Sequence, residues 1–442
     1  MKRSFYIFFA FVFGLSTYSV SWGANPSPFP PNVTFTTRAL TPFAIEGLTM
    51  DATGNFYTTG RQPDTAKKCP VWRINPANGS RVTVGFIQNS PACNPSGITF
   101  NSIGDLFIAD AASGGIVWKV TPDPNGCASD DSTNPACSTI PNGTAFATGV
   151  PGTNGLAFDK NGNLWTGDGT TGQGRVWKIT GSGANCAPAS LVNCEEVFRI
   201  QPMRNSTSLG GDLAGDGVGR QARTYPPGTN STTVNNPVTP PPPPLPAGVT
   251  LNATGTQVTF TPQGGQDLVA NGVAFNRAGV LFVLDTARGA IWKAEFDSAG
   301  NLTSKTNCDT TFTANTLCLE NVLVAHPLLE GADGFVLDQA GNFWVDANER
   351  NAVVVFATTG QVIEIFRSPL DPATQLRNTG PLEFPTSPFI SGKTLCTSNS
   401  DGNRRDNSPN TAGEITPAGP NRGKISCMDQ DLNIPGMPLP VQ

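Results

Sequence analysis

The chain has little charge and almost no histidine. Of its 442 residues 14% are Asp, Glu, Lys or Arg, and the only His is His326. One imidazole cannot build a two-His relay, and zinc or copper centres resting on His are disfavoured. No CxxC is present, so a thiolate zinc site has little support. No GxSxG, Walker loop or GxGxxG opening a helix is visible, which leaves serine hydrolase, nucleotide and dinucleotide chemistry without a basis. Nothing marks a quinone site. No basic cluster interrupts a net charge of −5, which argues against nucleic acid. Stretches with a helical period are hard to find. Beyond the N-terminus no apolar run is long enough to span a membrane.

What is present is turn chemistry. The 48 Gly and 39 Pro suit an all-β protein with many turns, and the length allows a large core in one or two domains. At the N-terminus, Lys2 and Arg3 precede an apolar stretch from Tyr6 to Leu15, and small residues surround Gly23 and Ala24. This is the pattern of a secretory signal peptide over residues 1–24. The apolar stretch is shorter than the ~20 residues of a spanning helix. No Cys stands at the cut site, so no lipid anchor is expected. The mature chain is expected to be secreted or periplasmic, with no membrane attachment.

The ten cysteines agree with export. They fall in consecutive couples: Cys69 and Cys93, Cys127 and Cys137, Cys186 and Cys194, Cys308 and Cys318, Cys396 and Cys427. Connectivity does not follow from sequence, but an exported chain with an even count favours disulfides over metal thiolates.

The chain repeats itself. "EGLTMDATGNFYTTG" from Glu46, "SGITFNSIGDLFIAD" from Ser96, "NGLAFDKNGNLWTGD" from Asn154, "NGVAFNRAGVLFVLD" from Asn271 and "DGFVLDQAGNFWVDA" from Asp333 share one shape. A Gly opens a short apolar strand, Asp or Asn followed three residues later by Gly makes a tight turn, and a second strand returns. Third strands such as "VWRIN", "VWKVT", "VWKIT" and "IWKAE" follow, then a fourth. Four antiparallel strands per repeat describe a β-propeller blade. Each of the first four cysteine couples is expected between the third and fourth strand regions of its own unit.

The interval from Asn154 to Asn271 is about twice the others. Residues 201–270 contain "GGDLAGDGVGR" and "VTPPPPPLP" but no Trp-Lys strand and no cysteine couple. They read as a Pro/Gly-rich insertion rather than another blade. The last unit, around "TSPFISGKTLCTSN" and "GKISCMDQ", supplies three strands, and the N-terminal "NVTFTTRAL" supplies its fourth. The expectation is a single six-bladed propeller over residues 33–442.

In a propeller the innermost strands run beside the central channel, so Glu46, Ser96, Asn154, Asn271 and Asp333 should meet at one mouth. Carboxylate and amide oxygens from separate rigid strands suit Ca²⁺ or another hard divalent ion. The plainer alternative is a channel that binds only water, with Asp and Asn as ordinary turn residues before Gly. Trp72, Trp118, Trp177 and Trp292 could stack on sugars, but their regular place favours packing between blades. Asp110, Asp168 and Asp285 close second strands and read as loop braces. His326 reads as a structural residue at a strand end rather than a base.

The same residues carry a resemblance. The pattern resembles the gluconolactonase/regucalcin (senescence marker protein) family of six-bladed propellers, from Glu46 to Phe366 without the insertion. The resemblance implies one divalent cation, Ca²⁺ first, held by Glu46, Asn271 and Asp333, with Asn154 facing the substrate. It implies a metal-dependent hydrolase that opens a lactone or similar cyclic ester, with Asp333 also helping to activate water, acting as a monomer on a small molecule. Where that family often has an Arg, two residues before the third-blade Asn, this chain has Gly152, so the family's sugar-acid specificity is not carried over. Related NHL-type propellers share strands like "LFIAD" and need no metal. The competing expectation is therefore a non-catalytic NHL-like binding scaffold.

Overall fold

Each of the five clear repeats is built around an Asp or Asn that ties its own turn. In the first unit Asp51 Oδ1 accepts from the backbone N–H groups of Thr53 (2.9 Å) and Asn55 (3.0 Å), while Asn55 Nδ2 reaches Asp51 Oδ2 (2.9 Å). Asp159 with Asn163 and Asp338 with Asn342 repeat the arrangement. The second oxygen of each acid also receives an aromatic donor on the returning strand: Tyr57 Oη, Trp165 Nε1 and Trp344 Nε1. The Gly that follows three residues on completes the turn at positive φ, as at Gly162 (φ 81°).

The computed structural model describes residues 27–438 apart from 203–265 and the short stretches 89–91, 188, 267–268, 311, 372–375, 378–379, 401, 403–405 and 408–422. The signal-peptide reading of residues 1–24 and nearly all of the 201–270 insertion lie outside the described residues.

Six four-stranded antiparallel sheets form the blades, innermost strand first. Blade 1 is β2 (Thr49–Met50), β3 (Phe56–Thr59), β4 (Cys69–Ile74) and β5 (Arg81–Ile87). Blade 2 is β6 (Pro95–Phe100), β7 (Leu106–Asp110), β8 (Ile116–Val120) and β9 (Thr144–Thr148). Blade 3 is β10 (Thr153–Phe158), β11 (Leu164–Asp168), β12 (Arg175–Ile179) and β14 (Cys194–Arg199). Blade 4 is β15 (Val273–Phe275), β16 (Leu281–Asp285), β17 (Ala290–Ala294) and β18 (Val322–Ala325). Blade 5 is β19 (Ala332–Leu337), β20 (Phe343–Ala347), β21 (Ala352–Phe356) and β22 (Val362–Arg367). Blade 6 joins β23 (Pro385–Ser391), β24 (Thr394–Asn399) and β25 (Lys424–Met428) to the N-terminal β1 (Phe35–Leu40), which pairs antiparallel with β25. The chain's two ends therefore share one sheet, and the ring closes as expected from "NVTFTTRAL". A two-residue strand, β13 (Ala184–Asn185), runs parallel to β9 and ties the blade 3 loop to blade 2.

The core lies between blades. One apolar cluster joins Trp72 and Ile74 of blade 1 to Ile425 and Cys427 of blade 6, and another joins blades 5 and 6 through Trp344, Val353 and Leu395. Trp72, Trp177 and Trp292 are fully buried and Trp118 nearly so, which makes them packing residues and not an exposed stacking surface.

All ten cysteines pair within their consecutive couples. Cys127–Cys137, Cys186–Cys194 and Cys308–Cys318 lie in connections from third to fourth strands, as expected. Cys69–Cys93 differs: it runs from the start of β4 to a point beyond the end of β5, just ahead of blade 2. Its place follows from register, because Cys69 pairs with Ile87, the last residue of β5, which brings it to the strand end that Cys93 follows. Cys396–Cys427 links directly opposed residues of β24 and β25.

Candidate functional site

Interblade backbone contacts set the mouth of the channel. The residue before each inner-strand glycine presents its carbonyl to the preceding blade. Gly272 N–H donates to Asp333 O at 2.8 Å, and Gly155 N–H to Asn271 O at 3.2 Å. A Cβ on Gly155 would stand 2.7 Å from Asn271 O, and one on Gly97 would collide with Asn154 O. The recurring glycine is thus the price of bringing inner strands into backbone contact. Blade 6 departs from this: Thr386 is followed by Ser387, and Thr386 Oγ1 closes the ring by donating to Glu46 O at 2.8 Å.

The geometry gathers the expected residues. Glu46, Ser96, Asn154, Asn271 and Asp333, with Thr386 as the sixth, line one polar cavity of about 260 Å³. Asn154, Asn271 and Asp333 are buried. Three of the six are held from within their own blade by the residue just past the second strand. Arg61 forms an ion pair with Glu46, Thr286 Oγ1 accepts from Asn271 Nδ2 at 3.0 Å, and Asn348 Nδ2 donates to Asp333 Oδ2 at 2.9 Å. Sequence reasoning missed Arg61, Thr286, Asn348 and Thr386. Their one available signal was position: blades 2, 3 and 4 end the second strand on Asp110, Asp168 and Asp285, whereas blade 1 has Gly60 there and then Arg61, and blade 5 has Ala347 and then Asn348.

Burial pushes the Asp333 carboxyl up to about 7, against the hydrogen bond from Asn348, the charge of Arg61 and the hydrogen bond from Asn271. Asp346, fully buried on β20, is raised well above the ordinary range by burial and by Asp333, while its hydrogen bond with Thr397 opposes the rise. Burial lowers the Arg61 guanidinium, and Asp333 and Asp110 act the other way.

The donor chemistry fits a hard cation in one respect and competes with it in another. Asn271 Oδ1 is buried and has no hydrogen-bond partner among the described residues, an orphan oxygen of the kind a cation satisfies. Among the described residues no three His, Cys, Asp or Glu side chains form a metal-holding group, so any cation would rest on two carboxylates and an amide. Arg61 already neutralises one of those carboxylates and would have to turn aside.

The remaining residues singled out in the sequence have structural partners. Asp110 accepts from Asn94 N–H, Ala112 N–H and Trp118 Nε1, Asp168 from Thr171, and Asp285 from Arg288. Burial raises Asp168 to about 6. His326 caps a short 3-10 turn, its Nδ1 accepting from Leu328 N–H at 3.1 Å, and burial lowers its pKa. Gly152 has φ 68°, and a Cβ there would collide with the Asp168 carboxylate, so no side chain fits where an Arg could have stood.

Solved structures of similar shape include the PQQ-bound aldose sugar dehydrogenase of Streptomyces coelicolor, 12% identical, covering 91% of this chain and 100% of that one at a TM-score of 0.48. The calcium-binding protein regucalcin of Agrobacterium tumefaciens is 14% identical, with 90% and 95% covered and a TM-score of 0.47. A gluconolactonase of Xanthomonas campestris is 13% identical, with 92% and 91% covered and a TM-score of 0.44. No curated protein sequence matches the chain. Over residues 237–381, the stretch that carries Asn271 and Asp333 but neither Glu46 nor Asn154, the chain is similar to the SMP-30/Gluconolactonase/LRE-like region family.

Proposed function

We propose that the protein is a lactonase-like hydrolase that opens a small cyclic ester at the polar mouth of the propeller. The observation that carries this is Asp333: a buried acid with its carboxyl raised to about 7, facing a cavity ringed by amide and hydroxyl groups. An acid poised near neutrality can take a proton from an attacking water and return it to the leaving ring oxygen. The carbonyl carbon gains the water oxygen, the ring C–O bond breaks, and the product is a hydroxy acid. Asn348 fixes the Asp333 carboxylate by donating to Oδ2, which holds its orientation toward the cavity. Asn154 lines the same cavity two blades away, where an amide can orient the ester.

A divalent cation, Ca²⁺ as first choice for an all-oxygen set, would be held by Glu46, Asn271 and Asp333. It would supply charge stabilisation at the carbonyl oxygen. The orphan Asn271 Oδ1 supports that assignment. The five disulfides support an exported protein in an oxidising compartment, and the size of the polar cavity supports a small-molecule substrate.

The Glu46–Arg61 ion pair favours a second reading. A channel mouth that neutralises its own carboxylate needs no cation, as in a binding scaffold. A lactone-hydrolysis screen with chelator and with added Ca²⁺, Mn²⁺ or Zn²⁺ separates the two. Ring opening abolished by Asp333→Asn is the expected result, and no turnover with any cation would leave the scaffold.

A further inference from the structure

Two residues along each inner strand, the channel wall changes character. Leu48, Ile98, Leu156, Val273, Phe335 and Pro388 follow Glu46, Ser96, Asn154, Asn271, Asp333 and Thr386 by two positions, one per blade. All six line a second cavity of about 90 Å³ directly beyond the polar ring. The glycines 97, 155, 272 and 334 lie between the two tiers and also border this cavity. The only polar side chains on its wall belong to Thr99 and Ser387. Met437 lies against the same space, and the C-terminal strap that carries it is fixed by Met437 N–H to Leu337 O (2.9 Å) and Gly436 N–H to Gly392 O (2.8 Å).

A hydrocarbon wall offers water too few partners, so filling it with an apolar group is favourable. The space adjoins the polar mouth and lies on the same six strands. A group attached to a ring ester held at that mouth meets this apolar wall next along the strands. We propose that the second tier is a subsite for an unbranched hydrocarbon substituent, and that the substrate is an alkyl-substituted lactone rather than a polyhydroxylated one. The head-group half of this assignment rests on the lactone-hydrolase reading above. The hydrocarbon half rests on the cavity alone.

The test is a chain-length series, γ-butyrolactone, γ-hexalactone, γ-octalactone and γ-decalactone, with calorimetric binding of 1-octanol as a readout independent of turnover. The expected kcat/KM rises by up to about fourfold per added methylene until the tier is filled, then levels off. Leu156→Trp, or Val273→Phe should the first variant not fold, fills the space. Either should erase the gain from chain length and the octanol binding while γ-butyrolactone is still opened at the parent rate. A flat series without octanol binding overturns the subsite and leaves the lactone reading intact. A rising series unchanged by the filling variants overturns it too, because the chain then binds elsewhere. Octanol bound by the parent but not by the variants, with no lactone opened, keeps the subsite and removes the lactone reading.

Discussion

Arg61 Nη2 is ion-paired with Glu46 Oε2 at the channel mouth, within electrostatic reach of Asp333. Among the described residues lining that cavity it is the one cation, set against two carboxylates. A guanidinium keeps its charge at any working pH, so it partly offsets the repulsion that two converging acids would otherwise create. A divalent ion would serve the same end with more charge. The two cations are therefore rivals for Glu46.

Removing the rival should favour the ion. Arg61→Met keeps much of the side-chain bulk and deletes the charge. Ca²⁺ affinity measured by calorimetry should rise by about tenfold or more, equal to about 1.4 kcal/mol. An unchanged affinity would mean that Arg61 does not compete for the site.

Stability should fall as pH rises when no cation is present. The ordinary Asp value is 3.8 and the folded value for Asp333 is about 7, so between these limits the folded protein holds a proton that the unfolded chain has released. Stability from this group is lost as pH climbs through that window and levels off above about 7. Asp346 acts in the same direction. With chelator present, the urea midpoint of the parent should be lower at pH 8 than at pH 5, by a few kcal/mol at most in free energy. Asp333→Asn should flatten part of that slope, and an identical pH dependence in the variant would show that the acid is not the source.

The inner-strand glycines are expected to tolerate nothing larger. In Gly155→Ala the new methyl would stand 2.7 Å from Asn271 O and 2.8 Å from Gly272 Cα, both backbone atoms that cannot turn away. Separating blades 3 and 4 should cost about 1–3 kcal/mol and shift Asn154 and Asn271, lowering turnover as well. Gly162→Ala is the control: φ is 81° with nothing within 4 Å, so only backbone strain of roughly 1 kcal/mol applies, and activity should hold. Urea unfolding and kcat/KM on both variants check the contrast.

That contrast also explains what could be read from the chain. Both glycines recur in every clear unit, and both duties, turn and close approach, leave the same trace in sequence. The blade starts from Glu46 to Asp333 were visible because each is pinned beside such a glycine. Arg61, Thr286 and Asn348 were not, because a residue just past a strand end is free to change type from blade to blade while still facing the channel. Thr386 was hidden because blade 6 replaces the glycine with Ser387 and turns through Gly392 and Lys393 instead of an Asp-anchored loop. The path of Cys69–Cys93 depended on strand register, which the spacing of the two residues does not fix.

The disulfides should differ in worth. Cys396–Cys427 closes a separation of 31 residues and lies in the blade that joins the two chain ends, whereas Cys186–Cys194 closes only 8. Loop-closure entropy assigns about 3.7 kcal/mol to the first and about 2.5 to the second. The Cys396→Ser, Cys427→Ser double variant should therefore show the larger fall in Tm. Equal falls would mean that ring closure gains nothing special from this bond.

Asp333 should be the most sensitive single residue. It supplies the buried carboxylate that the proposed chemistry needs, and Asn348 already holds its orientation. Asp333→Asn keeps the shape and removes the charge. The blades should stay folded, since their apolar layers lie between the sheets and do not include this side chain. Circular dichroism should be unchanged, Ca²⁺ binding at pH 8 should weaken by at least about tenfold, and lactone opening should vanish. Asn348→Ala makes the finer distinction. It loses one hydrogen bond to the carboxylate, so burial is opposed less and the Asp333 pKa should climb further. The acidic limb of the pH–rate profile should then move to higher pH while turnover survives at its alkaline end. If Asp333→Asn binds Ca²⁺ and opens lactones as the parent does, Asp333 is a turn residue and the scaffold reading stands.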